Sequence, residues 1–248
     1  MSNENFYIVA KESGAENPAI PTWANDMLNP AGLDPQCKGN IKRIDLENVP
    51  GAFQLTGVLS LAECERLIVM TESLGYVPDA AVSLPRSVRH NDSLTWVVDD
   101  VTSDLIWDRC GSFIDRNNHL FSGSKACGLN NRFRFYRYKN GDYFKPHTDG
   151  SWPGSKVVKR NLVHNAFVDR WSQLTLLLFL NEDFEGGSTE FYIRAQNKNA
   201  PETVAVRTPQ GGVLCFPHGT HPMHCLHSSE PVARGVKYII RSDVLFEI

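Results

Sequence analysis

The sequence lacks several features that would place the chain in a specialised class of protein. Its six cysteines include no Cys-x-x-Cys pair, so neither a disulfide framework nor a thiolate zinc site is indicated. No uninterrupted apolar stretch reaches the roughly 18 residues that a membrane-spanning helix needs. Lys and Arg number 25 against 28 Asp and Glu. This formal charge of -3 gives no reason to expect a nucleic acid or an anionic membrane as a partner.

The amino terminus also lacks a targeting signature. Its first seven residues, Met-Ser-Asn-Glu-Asn-Phe-Tyr, contain no basic segment followed by an apolar run. We therefore expect a cytoplasmic protein whose thiols are reduced and mostly buried.

Prolines are frequent in the first 40 residues, where they disfavour both a long helix and a central strand. We expect residues 1–40 to form an N-terminal arm or capping segment, and residues 41–248 to form a single domain. The prolines are Pro18, Pro21, Pro30 and Pro35.

Two segments space their apolar residues as helices do. Ser60-Leu61-Ala62-Glu63 has the form of a capping box, and apolar residues continue at helical spacing to about Leu74. A second helix is predicted to begin near Ser103 and to run to about Ile114. Both helices can pack against a sheet.

From Arg132 onward the pattern changes to short β-rich runs separated by Gly, Pro and Asn, which is typical of a sandwich or barrel. The run 174–180 is nearly continuous in apolar residues, as expected for a strand that is covered on both faces. Gly186-Gly187 predicts a tight reversal. The predicted strands are 41–44, 52–56, 132–138, 143–147, 173–180, 189–193, 203–207, 212–216 and 235–246.

His147 and Asp149 are the first candidate metal ligands. On an extended strand, residues two apart point to the same face, so this imidazole and carboxylate can converge on one divalent cation. A set of two histidines and one carboxylate with open positions suits non-haem Fe(II). The pair alone is also typical of ordinary surface side chains. A metal site of this kind needs a further histidine on a later strand.

Residues 218–227 carry four histidines, one at every third position. In isolation this segment fits a zinc site or a polar loop rich in histidine. The last histidine, His227, distinguishes this segment from a chance histidine-rich loop, because Lys237 follows it ten residues later. The other three, for which a polar loop is the simpler interpretation, are His218, His221 and His224.

An ordered set of these residues resembles a known family. The set is His147-x-Asp149, His227 and Lys237, preceded by Tyr138-x-x-Gly141-x-Tyr143. It resembles the prolyl-4-hydroxylase-like branch of the Fe(II)/2-oxoglutarate-dependent dioxygenases, and the resemblance covers residues 53–246. It implies a mainly β fold with flanking helices (α+β), a double-stranded β-helix of the jelly-roll or cupin-like kind.

The resemblance also implies a cofactor and its ligands. Fe(II) would be held by His147, Asp149 and His227, which leaves positions for 2-oxoglutarate and dioxygen. Lys237 would pair with the distal carboxylate of 2-oxoglutarate, because a buried ammonium needs an anion. Ascorbate is a further candidate cofactor.

Other residues would shape the co-substrate and substrate sites. Tyr138 and Tyr143 match family positions near 2-oxoglutarate. Thr175 is a candidate helper for Lys237. The long segment 150–172 carries several basic residues, which predicts a lid that favours a carboxylate or an acidic peptide. For Arg241 a solvent-facing position at the barrel mouth is the alternative to a substrate role. The candidate substrate residues are Arg241, Arg89, Asn91 and Trp152.

The implied reaction is hydroxylation of an unactivated C–H bond. Asp149 favours it, because halogenating relatives resemble the same pattern with a small residue at that position. Peptidyl proline is the first substrate expected, and a free amino acid or another small molecule is the alternative. An alternative of another class is a non-catalytic jelly-roll module that holds zinc and uses His224 or His221 as a further ligand. The spacing of Lys237 disfavours it.

Overall fold

The computed structural model describes residues 3–36, 40–81, 84–114, 121–193 and 202–248. Cys37, one of the predicted reduced thiols, lies outside these residues. The remaining five cysteines are unpaired thiols. Within the described ranges, no helix has both the length and the apolar character needed to cross a membrane.

Two β-sheets face each other, and two helices cover the outer face of the larger one. The large sheet has ten strands, in the order β1-β2-β6-β8-β19-β12-β16-β4-β3, with β7 also pairing to β19. These strands are β1 (Phe6–Glu12), β2 (Ile20–Asn25), β3 (Lys42–Asp45), β4 (Phe53–Thr56), β6 (Asp92–Val97), β7 (Ala126–Leu129), β8 (Arg132–Tyr138), β12 (Arg170–Phe179), β16 (Val213–Pro217) and β19 (Lys237–Glu247).

The small sheet has five strands in the order β15-β14-β17-β9-β5. These are β5 (Arg89–His90), β9 (Tyr143–His147), β14 (Thr189–Ile193), β15 (Glu202–Val206) and β17 (His227–Ser229). Two short ribbons pair β10 (Lys156–Val158) with β11 (Asn161–Val163) and β13 (Glu185–Gly186) with β18 (Val232–Arg234). The helices are α1 (Leu61–Leu74) and α2 (Asp100–Ile114), and a 3-10 turn spans Asn3–Asn5.

Strand β12 shows how the large sheet separates two apolar clusters. Successive strand residues point to opposite faces. Leu176 and Leu178 therefore pack with the helices, whereas Leu177 and Phe179 point between the two sheets. The prediction of a strand covered on both faces is confirmed. The space between the sheets is where the side chains of the candidate site meet.

Helix α1 begins as the sequence predicts. The Ser60 side chain accepts a hydrogen bond from the Glu63 N–H at 3.3 Å, and the Glu63 carboxylate accepts one from the Ser60 N–H at 2.8 Å. Helix α2 begins at Asp100, earlier than the predicted Ser103, because Asp99 caps it by accepting hydrogen bonds from Thr102. The missed signal was the Asp-x-x-Thr sequence at residues 99–102.

The N-terminal segment, which we expected to be an arm or capping segment, adds two strands to the edge of the large sheet. Strands β1 and β2 pair antiparallel, and β2 pairs in parallel with β6 at Thr22 and Trp23. Burial alternates along β2, a period-two pattern that the nearby prolines obscure. The domain boundary near residue 40 stays a prediction.

Candidate metal centre and cavity

Three predicted ligands meet where β9 and β17 pair in the small sheet. His147 ends β9, Asp149 follows it by two residues, and His227 begins β17 directly opposite His147. One ligand atom from each side chain lies within 4.8 Å of the other two. Antiparallel pairing of β9 and β17 thus brings His147 and His227 together although they are far apart in the sequence. The cluster has the dimensions of a metal site.

Both imidazoles are held in one tautomer. The Nδ1 atom of His147 lies 2.8 Å from the Lys145 carbonyl oxygen, and that of His227 lies 3.0 Å from the Cys225 carbonyl oxygen. Because a carbonyl only accepts, each Nδ1 carries the hydrogen and each Nε2 keeps a free lone pair. Each Nε2 lies 3.8 Å from an Asp149 carboxylate oxygen.

Electrostatics keep all three side chains in the form that binds metal. Burial lowers the pKa of both imidazoles, that of His147 to about 4, so both are neutral at pH 7. Burial opposes ionisation of Asp149, but the Arg241 guanidinium holds the pKa of this carboxyl well below its usual range. The set is therefore two neutral imidazoles and one carboxylate.

Asp149 is bound on one side only. The Thr175 hydroxyl donates to its Oδ2 at 2.7 Å, and Arg241 Nε lies 3.3 Å from the same oxygen. The Arg241 guanidinium also donates to Asp243 at 3.1 Å. Both neighbours of Asp149 engage Oδ2, which leaves Oδ1 open to a metal ion.

A chain of hydrogen bonds stands behind the carboxylate. Since the Thr175 hydroxyl donates to Asp149, its oxygen accepts from His218 Nδ1 at 2.7 Å. His218 Nε2 then accepts from the Ser172 hydroxyl at 2.9 Å, and Ser172 in turn accepts from the Trp152 N–H at 2.8 Å. The structure thus places Thr175 beside Asp149 rather than beside Lys237, where we expected it. His218 supports a ligand and is not one itself.

Lys237 is a buried ammonium at the start of β19. Its Nζ donates to the Gly187 carbonyl at 2.6 Å and to the Ser229 hydroxyl at 3.0 Å. The rings of Tyr138 and Phe179 flank it, with centroids 5.1 and 5.6 Å from Nζ. The motif spacing predicts neither Gly187 nor Ser229 as a contact of Lys237, although Ser229 lies only two residues after His227 on the same strand.

The Lys237 ammonium has no acidic partner within ion-pair distance among the described residues. Burial, reinforced by the nearby charge of Arg207, lowers its pKa to about 7. A cation in this position is stabilised by an anion that binds from the cavity.

The metal cluster and Lys237 face one cavity of about 540 Å³. This volume lies within the range of small-molecule sites, roughly 300–1,000 Å³. It can hold 2-oxoglutarate together with part of a second molecule. Of the other predicted site residues, those that line it are Tyr138, Arg89, Trp152 and Arg241.

Tyr143 and Asn91 do not line this cavity. Tyr143 pairs across the strands with His90, stacks on its ring and donates to the Ser87 carbonyl at 3.4 Å. Asn91 is buried and donates to the Asp92 carbonyl. These contacts, which motif spacing does not reveal, hold both side chains outside the cavity where we predicted them.

None of the basic residues of segment 150–172 lines the cavity. Lys156 pairs with Asp100 on α2 at 2.7 Å, and Arg160 pairs with Asp26 beyond β2 at 2.7 Å. From the segment itself only Gly150 and Trp152 line the cavity. A lid role for the segment stays a prediction, but these two cations do not supply its specificity.

Comparison with known proteins assigns the site. The sequence profile of the 2OG-Fe(II) oxygenase superfamily matches residues 133–242, which contain the three ligands and Lys237. Residues 133–242 therefore carry a 2OG-Fe(II) oxygenase domain. Its cofactors are Fe(II) and 2-oxoglutarate. A search of curated protein sequences found no match.

Solved structures show that the oxygenase shares its fold with prolyl hydroxylases. A Pseudomonas putida prolyl-4-hydroxylase is 16% identical, with 78% of this chain and 91% of that chain covered at a TM-score of 0.50. A Trichoplax adhaerens prolyl hydroxylase, in complex with a peptide fragment of the hypoxia inducible factor oxygen degradation domain, is 17% identical. The superposition covers 84% of this chain and 84% of that chain at a TM-score of 0.53. The predicted jelly-roll fold is confirmed.

The residues of the oxygenase fit both cofactors. Two neutral Nε2 atoms and one carboxylate oxygen converge, as a facial iron site requires. The unbalanced Lys237 ammonium suits the distal carboxylate of 2-oxoglutarate. The alternative of a zinc module expected His221 or His224 as a ligand, and neither belongs to the cluster formed by the described residues.

Proposed function

We propose that this oxygenase hydroxylates an unactivated C–H bond, and that a prolyl residue in a peptide or protein is its first candidate substrate. The observation that carries the proposal is that the three metal ligands and a buried lysine without an acidic partner share one cavity. In the overall reaction, substrate C–H, 2-oxoglutarate and O₂ become C–OH, succinate and CO₂, which balances atoms and electrons.

In this proposal His147, Asp149 and His227 hold Fe(II), and the Lys237 ammonium receives the distal carboxylate of 2-oxoglutarate. The bound iron and keto acid supply the oxidising chemistry. The protein fixes their geometry and excludes water from the reacting atoms. Apolar side chains that line the cavity, among them Leu177 and Ile239, serve that exclusion.

Support for a prolyl substrate comes from the two similar folds, both of which belong to prolyl hydroxylases. One of those proteins is in complex with a peptide, which supports a peptide substrate for this chain. A free amino acid is the second candidate, because the cavity contains a further cation, Arg89.

We also propose that the oxygenase works in the cytoplasm. The five described cysteines are unpaired, as expected in a reducing compartment. Imaging of a fluorescent fusion, with fractionation as a second measurement, tests this assignment.

The decisive test is anaerobic titration of metal-free protein with Fe(II) and then 2-oxoglutarate. We expect a weak visible charge-transfer band from the chelated keto acid. His147→Ala should abolish it, and Lys237→Ala should shift its half-saturation to a higher 2-oxoglutarate concentration. Iron binding without a band would contradict the proposal. Succinate release in the presence of prolyl peptides and of free amino acids then separates the two substrate candidates.

A further inference from the structure

Arg89 is a buried guanidinium that faces the cavity without a partner. The residue is 6% exposed and lines the cavity. Among the described residues, its side chain makes no ion pair and no hydrogen bond; the contacts are with aromatic rings. A guanidinium removed from bulk water without an anion is costly, so a ligand that supplies one is bound favourably.

The other two cations that line the cavity are already accounted for. Arg241 is held between Asp149 and Asp243. Lys237 is bound by Gly187 and Ser229 and is assigned to 2-oxoglutarate. Asp149 is the only acidic side chain among the described lining residues, and it is a metal ligand. The positive charge of Arg89 is therefore left for another molecule.

Arg89 lies beside a different pair of aromatic rings from Lys237, and one of these rings contacts a metal ligand. Arg89 pairs with Phe144 across β5 and β9, and the Phe144 ring stacks on His147 with centroids 3.5 Å apart. The Arg89 Cζ atom lies 5.8 Å from the Phe144 centroid and 5.7 Å from that of Tyr136. Lys237 instead lies beside the rings of Tyr138 and Phe179.

We propose that the substrate of this oxygenase carries a carboxylate, and that Arg89 binds it while Lys237 binds 2-oxoglutarate. This inference rests on the proposed function and narrows its substrate class. The planar guanidinium fork matches a carboxylate with two parallel hydrogen bonds. One unpaired cation balances a single negative charge. The carboxylate belongs either to a free amino acid or to an Asp or Glu side chain close to the target residue of a peptide.

The test measures binding to protein loaded anaerobically with Fe(II) and saturating 2-oxoglutarate. By calorimetry we would titrate the standard L-amino acids against their carboxamides, and a blocked Ala-Pro-Glu-Ala peptide against Ala-Pro-Gln-Ala. At least one acid should bind about tenfold or more tightly than its neutral partner. The amino-acid arm and the peptide arm identify the source of the carboxylate.

Substitution at Arg89 ties this preference to its guanidinium. Arg89→Gln should remove the preference for the acid while the Kd for 2-oxoglutarate stays within about twofold. Arg89→Lys, which keeps the charge but loses the planar fork, should retain part of it. Arg86→Gln is the matched control, because it removes a cation of the same segment that does not line the cavity.

Two results overturn the inference: no acid in either arm binds better than its neutral partner, or the preference survives in Arg89→Gln. Should Arg89→Gln fail to fold, as judged by its thermal transition, the same comparison in Arg89→Lys decides. An unchanged preference there, with the wild-type Kd, counts against the guanidinium. If the wild-type protein does not bind 2-oxoglutarate at all, the proposed function is contradicted instead. Failure of the proposed function is therefore distinguishable from failure of the carboxylate inference.

Discussion

The two sheets of this oxygenase have different roles: the large sheet forms most of the hydrophobic framework, and the small sheet positions the metal ligands. The large sheet is covered by helices on one face and buries a continuous apolar cluster there, with charged pairs such as Glu63–Arg109 holding the helices together. The small sheet places His147 and His227 side by side at the cavity. Stability and metal binding are therefore expected to respond to substitutions in different parts of the molecule.

Strand β19 belongs to the large sheet but serves both purposes. Its Ile240 and Val244 side chains enter the helix-covered cluster, whereas Lys237, Ile239 and Arg241 line the cavity. A strand with two buried faces lets one segment support the framework and position ionic groups. The substitutions below test whether the two functions separate as this arrangement predicts.

The largest effect is expected in the framework. Glu63→Gln removes the carboxylate charge that lies 2.9 Å from the buried Arg109 guanidinium, and should lower the free energy of unfolding by about 3–5 kcal/mol. Urea denaturation measures this loss. Fe(II) affinity of the folded protein should be unchanged. A large loss of metal affinity in the folded variant would break the division between the sheets.

The same ion pair should make the protein sensitive to acid. Burial opposes ionisation of Glu63, but hydrogen bonds from Arg109 and the backbone lower its pKa to about 2. Because the folded-state pKa lies below the usual value of 4.5, the stabilisation is complete above about pH 4.5 and is lost as the pH falls towards 2. Glu63→Gln should flatten this part of the stability profile.

The next largest effect is expected at the metal centre. Asp149→Ala removes the carboxylate ligand and should reduce Fe(II) affinity by more than the roughly 100-fold that loss of a supporting residue costs. Anaerobic calorimetry measures it, and Asp149→Asn, which keeps the shape without the charge, is the matched variant. Wild-type affinity in both variants would show that Asp149 is not a ligand.

A smaller effect is expected for Lys237→Met. Loss of a charged hydrogen-bonding partner should weaken 2-oxoglutarate binding about tenfold to a hundredfold, while Fe(II) binding is retained. The unfolding free energy of the cofactor-free protein should rise, because the variant no longer buries an unbalanced ammonium. Equal 2-oxoglutarate affinity in variant and wild type would remove Lys237 from the site.

Lys237 also predicts a pH dependence of stability, with the same sign as that of Glu63 but in an alkaline window. Its folded-state pKa of about 7 lies below the usual 10.5, so between these values the unfolded chain holds more protons than the folded one. Stability of the cofactor-free protein should therefore rise with pH across this window, and Lys237→Met should remove the rise. Affinity for 2-oxoglutarate should fall above about pH 7 as the ammonium is neutralised.

The smallest effect is expected from the hydrogen-bond chain behind Asp149. Thr175→Val keeps the volume but removes the hydroxyl that links Asp149 to His218, and should lower Fe(II) affinity about tenfold. Thr175→Ser retains the hydroxyl and should bind Fe(II) nearly as well as the wild type. If valine and serine behave alike, the chain contributes only packing.

The sequence by itself determined those features that depend on neighbours along the chain. The Ser60–Glu63 capping box set the start of α1, and apolar continuity identified the strand at 174–180. The order His147, Asp149, His227 and Lys237 predicted the metal ligands and the cation, which the structure brings to one cavity. Each of these signals is a periodicity, a cap or a motif spacing.

Only the tertiary structure decided which buried groups are partnered. Thr175 contacts Asp149 across 26 residues of sequence, and Lys237 reaches Gly187 across 50. Tyr143 and Asn91 fall outside the cavity, while Arg89 enters it unpaired. The physical reason is that a buried charge or hydroxyl is satisfied by whatever side chain the folded sheets bring next to it, and chain spacing does not specify that neighbour.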